Sequence, residues 1–483
     1  MIGLRAVGEI GDRLVMSPEV TEELIARQPP EAQAIIRILL ARIDVLEARL
    51  AAVTKTPQNS SLPPSTQHPH AKSSSSDSSA AASSKRKRGG QPGHVKHERT
   101  LIPIEQCDEV VVLKPKRCRS CGERLSGDDT QPWRHQVWEV PQPRPTVIEY
   151  QRHRLTCGCG QTTCADLPEG VPEHTSGPRL VALAALLMAA CRQSKSRTAW
   201  VLTTLFGVPA CAGLVVKLQR RATEALAPCY EELTTTLPTA KVVACDETAM
   251  KEGQHKSWLW VAATAAYTVF AIRLTRAATV IEGLLGKNFR GIIGTDRYGG
   301  YNVFNRRRQI CWAHLKRDFQ ALIDAGGEPR LIGDRLMKHL HEVFHHWHRY
   351  REGKIQRATM QRNILTVYYP LWETLEDGQR SAHAPTAALC RDLFQRFDQL
   401  WLFRDHAGVE PTNNRAERSL RHAVIWRKLS HGTQSASGSR FVETLLSVIE
   451  TCRQQQRDVF DFLTAATEAQ QSNKPAPRLL CGA

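Results

Sequence analysis

The sequence predicts a multidomain α/β protein, and three observations lead to that prediction. The chain has 483 residues, 41% of them hydrophobic, which is enough for several domains with separate cores. Its N-terminal part combines a heptad repeat with paired cysteines, whereas short apolar strands begin at residue 241. From there we expect three strands, a helix, a strand, a short helix and a fifth strand, which is the order of a ribonuclease H-like fold. In that fold the first and fourth strands are parallel neighbours.

The composition points to a polyanionic partner. Lys and Arg number 65 against 48 Asp and Glu, and the isoelectric point is near 9.4, which suits nucleic acid or an anionic membrane, although a solvated basic surface would also account for it. Charged residues interrupt the N-terminus, and the longest apolar run, residues 180–191, is too short to span a bilayer. We expect a soluble intracellular protein whose 14 cysteines are thiols or metal ligands.

Residues 31–55 are expected to form a leucine-zipper-like helix. Apolar residues fill the a and d positions of three heptads, namely Ile36, Leu39, Ile43, Leu46, Leu50 and Val53. Two interpretations stay open, a homodimer seam and an amphipathic helix docked on its own chain.

Residues 56–99 are expected to be a disordered basic linker, because Ser, Pro, Ala and Thr dominate them. The linker carries four consecutive cations, Lys85, Arg86, Lys87 and Arg88, which could follow DNA phosphates or simply be solvated.

Paired cysteines predict a zinc-ribbon-like DNA-binding domain over residues 100–172. Cys118 and Cys121 have the C-x-x-C spacing that suits tetrahedral Zn²⁺. A second group follows at Cys157, Cys159 and Cys164. We expect Cys157 and Cys159 to complete the site, with Cys164 as the alternative ligand. Metal-free thiols on a hairpin are the other interpretation.

Residues 173–238 have a helical pattern in which Gly207 and Pro209 separate two helices, as in a helix-turn-helix. The second helix would carry three cations on one exposed face, Lys217, Arg220 and Arg221. Ordinary core packing of a helical hairpin would give the same pattern.

Two expected strands end on a carboxylate. The stretch KVVACDET, residues 241–248, reaches Asp246, and GIIGT, residues 291–295, is followed by Asp296. These are the first and fourth strands, so their acids should converge. Two neighbouring carboxylates repel each other unless divalent cations lie between them.

A third acid, Glu417, begins a helix within residues 411–432. Four cations surround it and suit a passing phosphate backbone: Arg418, Arg421, Arg427 and Lys428. The alternative is structural, with Asn414 as the helix cap and Glu417 as its capping-box partner. That alternative explains Glu417 but leaves the cations unexplained.

Seven segments in order carry a resemblance to a known family. They are NSSLPPS, GGQPGH, the C-x-x-C ribbon, CDET, TDRYGGY, CWAHLKRDF and NNRAER. Over nearly its whole length the chain resembles the DDE transposases of the bacterial insertion-sequence family sixty-six. The resemblance implies that Asp246, Asp296 and Glu417 form a catalytic triad. Many members have Asp where this chain has Thr412, and the second cysteine group is also unusual.

The resemblance further implies a catalytic domain over residues 239–432 with a helical insertion at about 320–405, followed by a C-terminal helical region and tail, 433–483. Five insertion histidines are interpreted as helix surface and core: His339, His341, His345, His346 and His348.

The implied activity is binding of the element's terminal repeats and cleavage and strand transfer of DNA, with two Mg²⁺ or Mn²⁺ ions held by the triad. The resemblance implies that the protein forms homo-oligomers through the zipper and works with accessory transposition proteins, without a membrane partner. It also implies a cytoplasmic, nucleoid-associated location in a bacterium. A DNA-binding remnant without activity and a ribonuclease H-like nuclease are the alternatives.

Overall fold

The computed structural model describes residues 25–53, 56–57, 59–60 and 99–480. They belong to two compact units, one of residues 1–68, 147–204 and 208–483 and the other of residues 69–146 and 205–207. The cations predicted at residues 85–88 lie outside the described residues. The domain boundaries inferred from sequence stay predictions.

In the second unit, residues 99–146 are mostly extended chain. A short 3-10 helix, Ile104–Gln106, is followed by a tight turn that an isolated bridge between Arg117 and Arg124 closes. The side chain of Gln136 holds both backbone groups of Ile102, since its Oε1 accepts from Ile102 N at 3.0 Å and its Nε2 donates to Ile102 O at 2.9 Å. This unit is therefore held together by turns and by side-chain hydrogen bonds.

In the first unit, helix α1 covers Pro30–Val53, as the heptads predict. Apolar residues on it remain 48–65% exposed, namely Ile35, Ile38, Leu39, Ile43 and Leu46. The helix contacts the helix Trp312–Asp324, and just beyond it Asn59 Nδ2 donates to Asp324 Oδ2 at 2.9 Å. Leu39, Ile43 and Leu46 nevertheless stay exposed, so both interpretations of this helix remain open.

A mixed five-stranded sheet forms the centre of the first unit. Its strands are β3 Val242–Glu252, β4 His255–Ala263, β5 Thr268–Arg273, β6 Ile292–Thr295 and β7 Arg308–Ile310, after a separate hairpin of β1 Arg154–Thr156 and β2 Thr162–Cys164. The order is β5-β4-β3-β6-β7, with antiparallel pairs on the β5 side and parallel pairs on the β7 side. The first and fourth strands of this sheet are thus parallel neighbours, as expected. One expectation is wrong: β3 does not end at Asp246 but continues six residues to Glu252, because its second half pairs with β4 alone.

Helices from both ends of the unit cover the sheet. They are α2 Pro178–Ala189, α3 Lys195–Phe206, α4 Ala212–Thr236 and α5 Ala278–Leu285, with α12 Ala436–Gln454 and α13 Val459–Gln471 from the C-terminal side. Residues four apart on α12 accept the outward amides of the edge strand β5: Ser447 Oγ from Phe270 N at 2.8 Å, Thr451 Oγ1 from Thr268 N at 3.2 Å, and Glu443 from Ile272 N. This helix therefore closes the sheet edge.

A helical region with its own core follows β7. It contains α6 Trp312–Asp324, α7 Gly327–Arg351, α8 Arg357–Gln379, α9 Ala384–Gln395 and α10 Leu402–Asp405, and it leads into α11 Asn414–Ser430. Residues 320–405 are accordingly helical, as predicted. His339 is buried and shares a hydrogen bond with Thr374 Oγ1 at 3.1 Å, whereas His341, His345 and His348 are exposed, which matches the interpretation of these histidines as core and surface. Within the described ranges, no helix is both long enough and apolar enough to span a membrane.

Candidate active site

Asp246 and Asp296 lie side by side at the end of the β3–β6 pairing. The two strands pair in parallel from Val242 with Ile292 to Ala244 with Gly294. Continuing that register by two residues sets Asp246 opposite Asp296. Because side chains alternate along a strand, both carboxylates lie on the sheet face of Ala244 and Gly294. The register of the two strands agrees with the convergence expected from the strand order.

The pKa of Asp246 is affected by the neighbouring acids. Burial raises the pKa of this carboxyl well above its ordinary value, and the negative charges of Glu247, Asp296 and Glu417 raise it further. Each aspartate is held by one backbone amide, with Glu247 N donating to Asp246 Oδ1 and Tyr298 N donating to Asp296 Oδ1, both at 2.9 Å. Among the described residues, no Lys, Arg or His forms an ion pair with either aspartate. Within the described chain, the negative charge of the two aspartates is therefore not offset by a direct ion pair.

Glu417 is brought to the two aspartates by an anchor that sequence reasoning missed. The N-cap of α11 is Asn413, not Asn414, and no side chain caps the helix, so the capping-box interpretation of Glu417 is wrong. The Asn413 side chain is 1% exposed and instead donates from Nδ2 to the carbonyl of Cys245 on β3 at 2.7 Å. The doublet Asn-Asn in the sequence gave no sign of which residue would turn inward.

Backbone bonds fasten the same segment to the strand ends. Cys311 N donates to Thr295 O at 2.9 Å, Trp312 N to Pro411 O at 2.8 Å, and Asn413 N to Cys311 Sγ at 3.1 Å. The start of α11 is therefore fixed to both β6 and the start of α6. This arrangement sets the position of Glu417 against the sheet.

The side chain of His314 lies next to Glu417. Its Nδ1 is buried, has no hydrogen-bond partner in the described chain and lies 3.6 Å from Glu417 Oε1. Burial lowers the pKa of His314, and Arg317 lowers it further. Cys311 Sγ lies within 4.8 Å of both groups, but burial raises the pKa of this thiol to about 12 and its sulfur already accepts from Asn413. His314 and Glu417 therefore offer atoms that could bind a ligand, whereas the sulfur of Cys311 is engaged in holding Asn413.

A buried arginine shapes the loop that follows Asp296. Arg308 on β7 is fully buried, which lowers its pKa to about 10. Its guanidinium donates to Thr295 Oγ1 at 2.8 Å, to Asn302 Oδ1 at 2.7 Å and to the carbonyl of Tyr298 at 3.0 Å. These bonds hold the turn from which Tyr298 N reaches the Asp296 carboxylate.

Glu247 is a second residue that the sequence did not reveal. It neighbours Asp246 but faces the opposite side of β3, where it is buried. Arg276 Nε donates to it at 2.9 Å and the hydroxyl of Tyr301 also donates to it. Arg276 in turn lies 3.7 Å from the ring centroid of Tyr298. This cluster connects the backbone beside Asp246 to the loop beside Asp296.

The predicted DNA-contacting cations differ in exposure. Arg418, Arg421 and Lys428 are exposed along α11. Arg427 is half-buried and donates to Thr248 Oγ1 at 2.8 Å, and also to the carbonyl of Ala249, so its first role is to fasten α11 to β3.

On α4, Lys217 and Arg220 are exposed, whereas Arg221 is half-buried. Burial lowers the pKa of Arg221, and the positive charge of Arg220 lowers it further. The turn before α4 contains Gly207 with φ +65°, in the expected place.

Each of the two cysteine groups forms a tight turn. In the first, Cys118 N donates to Glu123 O at 2.8 Å, and backbone amides of Cys121 and Ser120 lower the pKa of the Cys118 thiol. In the second, Cys157 N donates to Gln161 O at 2.8 Å, and the amide of Cys159 lowers the pKa of Cys157.

Cys164 lies at the opposite end of the β1–β2 hairpin, across from Arg154. Cys157 and Cys159 share the turn of this hairpin. Zinc binding itself stays a prediction.

Comparisons with known proteins identify the family. The family model described as "Transposase IS66 family" matches residues 174–440, and a model for a family of unknown function, DUF6444, matches residues 18–100. Similar proteins include the uncharacterized protein y4qI of Sinorhizobium fredii, 26% identical over 234 residues, which are 43% of this chain and 43% of that protein. Another is y4jO of the same organism, 26% identical over 172 residues, or 36% of this chain and 50% of that protein. The match thus spans half or less of these relatives. Because the first model covers more than half of the sequence, this chain belongs to the transposase IS66 family.

Proposed function

We propose that the protein is a DDE-type transposase that binds the ends of an insertion sequence and catalyses DNA cleavage and strand transfer. The observation that carries the proposal is the register of β3 and β6, which sets Asp246 beside Asp296, with Glu417 delivered to them by the helix that Asn413 anchors. We also propose that residues 239–432 form a ribonuclease H-like catalytic domain with a helical insertion at 320–405. The strand order β5-β4-β3-β6-β7 supports that assignment.

The three carboxylates suit Mg²⁺ or Mn²⁺, because hard divalent cations prefer oxygen ligands. Two features of the site support this fit. The pKa of Asp246 is raised by burial and by the neighbouring acids, and each aspartate uses only Oδ1 in the hydrogen bonds of the described chain. Two such ions would make the attacking hydroxyl a better nucleophile and would neutralise the leaving oxygen.

The chain's own groups would prepare the substrate. Glu247 N and Tyr298 N orient the two aspartates so that Oδ2 of each stays available for ligation. The exposed cations Arg418, Arg421 and Lys428 on α11 would attract the DNA backbone next to Glu417. His314 Nδ1 lies 3.6 Å from Glu417 Oε1 and would help to hold that carboxylate in place.

The remaining parts of the chain have roles in the same proposal. The exposed apolar residues of α1 would pair with the same helix of a second copy, giving a homo-oligomer. The cysteine turns would hold structural Zn²⁺ and, with Lys217 and Arg220 on α4, would bind the terminal repeats.

The proposal is tested with labelled DNA that carries the element ends flanking the gene. Cleavage and joining are measured with Mg²⁺ and with EDTA, for the unmodified protein, for Asp296→Asn and for the control Asp334→Asn, an acid on α7 paired with Arg330 at 3.7 Å. We expect nicking and joining only with Mg²⁺, retained in the control and lost in Asp296→Asn while DNA binding persists.

Two other outcomes would reject the proposal. End binding without cleavage in any condition would favour a DNA-binding remnant. Cleavage without joining, on DNA of any sequence, would favour a nuclease.

A further inference from the structure

A groove beside the acidic site has no role in the proposal so far. It has a volume of about 650 Å³ and lies between one face of α7 and the starts of α6 and α11. We name it the histidine groove, after His341, His345 and His348, which line it together with Phe344, Lys316 and Arg418.

The groove adjoins the acidic site through two helices. Lys316 follows His314 by two residues on α6, and Arg418 directly follows Glu417 on α11. Successive residues of a helix point about 100° apart, so α11 presents Glu417 on one side and Arg418 on a neighbouring side. On α6 the residue next to His314, Ala313, also lines the groove. A strand bound with its scissile phosphate at Glu417 would therefore enter the groove within a nucleotide or two.

The charge of the groove suits a phosphate backbone. Lys316 and Arg418 are exposed, and neither forms an ion pair with a described residue. A third cation at the rim, Arg351, lies 3.6 Å from Glu410, which Arg415 shares at 3.7 Å. The groove lining also holds the acids Glu352 and Glu410, so its three cations outnumber its two acids and its net charge is positive.

The wall of the groove offers ring surfaces. The rings of Phe344 and His348 are stacked, with centroids 5.7 Å apart and planes 22° apart. Phe344 is half-buried and backs the exposed imidazole of His348, and the buried Trp347 lies between them in sequence. Cationic grooves lined with stacking side chains are typical of single-stranded DNA binding.

The size of the groove suits a short single-stranded segment. Its volume of about 650 Å³ lies within the range of pockets that hold one small ligand, about 300–1,000 Å³. Such a space has room for one or two nucleotides.

We propose that the histidine groove binds the unpaired nucleotides next to the scissile phosphate, with Lys316 and Arg418 on the backbone and one base stacked on His348. This inference rests on the proposed function, because it places the scissile phosphate at Glu417. It adds that the substrate is locally single-stranded when it is bound.

The test measures binding in EDTA, so that it does not depend on cleavage. The full-length protein is titrated with a duplex carrying a three-nucleotide tail, with 2-aminopurine as the first unpaired base, over a range of salt concentrations. The variants are Lys316→Ala with Arg418→Ala, and His348→Ala. The control is Lys287→Ala, an exposed cation at the opposite end of β6 from Asp296.

Three results are expected. The double variant lowers the slope of log affinity against log salt by about 1.4, since each lost single-strand phosphate contact removes about 0.7. His348→Ala removes the quenching of 2-aminopurine and weakens binding by roughly 5- to 100-fold, whereas His348→Phe restores the quenching because it keeps a ring. Lys287→Ala preserves the quenching and leaves most of the slope unchanged.

The inference is overturned if the double variant behaves like Lys287→Ala, or if quenching persists in His348→Ala. Failure of the proposed function is a separate result, namely an unmodified protein that never cleaves with Mg²⁺ although groove variants still change binding. All of these variants are altered at exposed positions. Thermal unfolding of each one checks that the fold is retained.

Discussion

Replacing Asn413 by Ala should loosen the glutamate helix, whereas the same change at the adjacent Asn414 should not. Asn413 is 1% exposed and its Nδ2 donates to Cys245 O at 2.7 Å, so Ala leaves a buried carbonyl of β3 without that donor. Such a loss costs about 1–3 kcal/mol. Asn413 Oδ1 has no partner in the described chain, so removing it offsets part of that cost, and we expect a net destabilisation of about 1–2 kcal/mol.

Thermal unfolding in EDTA measures the effect, with an expected fall of the midpoint by about 2–6 °C for Asn413→Ala. Asn413→Asp should be worse, because it sets an acceptor against the Cys245 carbonyl and adds a charge near Asp246. The matched control is Asn414→Ala, whose side chain makes no hydrogen bond within the described residues and which should stay within about 0.5 kcal/mol of the unmodified protein.

DNA cleavage by Asn413→Ala should fall more than stability does, up to about 100-fold, since Glu417 loses its placement. The reasoning is refuted if Asn414→Ala is the destabilising variant, because α11 would then be capped as the capping-box interpretation assumed. It is also refuted if Asn413→Ala leaves both stability and cleavage unchanged.

Three further predictions concern charge and metal. Asp246→Asn should raise the unfolding temperature at neutral pH in EDTA, because the folded state holds the pKa of Asp246 above its ordinary 3.8. The stability of the unmodified protein falls as the pH rises from 3.8 through this raised pKa. The stabilisation by Asp246→Asn should therefore vanish below about pH 3.8. An unchanged midpoint at neutral pH would contradict this. Glu247→Ala should destabilise by about 3 kcal/mol in urea unfolding, since it leaves Arg276 without its partner, whereas Glu247→Gln keeps an acceptor and should cost less. Equal losses in the two variants would speak against the pairing. Cys118→Ser should reduce the amount of bound zinc measured by mass spectrometry, whereas the control Cys191→Ser should not. If the purified unmodified protein contains no zinc, the zinc-ribbon prediction is rejected.

Much of the candidate site could be predicted from the sequence because its signals are local. Asp246 and Asp296 each follow an apolar run, and Glu417 lies in a helix crowded with cations. The order of strands and helices after residue 241 follows from periodicity, and it already implies which strands are neighbours. The heptads likewise predicted the helix that covers Pro30–Val53.

The tertiary structure decided what depends on residues far apart in the chain. Asn413 and Cys245 are 168 positions apart, so no local pattern could show that Asn413, rather than Asn414, turns inward. The extension of β3 past Asp246 depends on its pairing with β4, and the role of Glu247 depends on Arg276 and Tyr301. The histidine groove likewise exists only where α7 meets α6 and α11. Periodicity along a chain determines which elements form and which faces are apolar, whereas only packing between elements determines which polar side chain meets which partner.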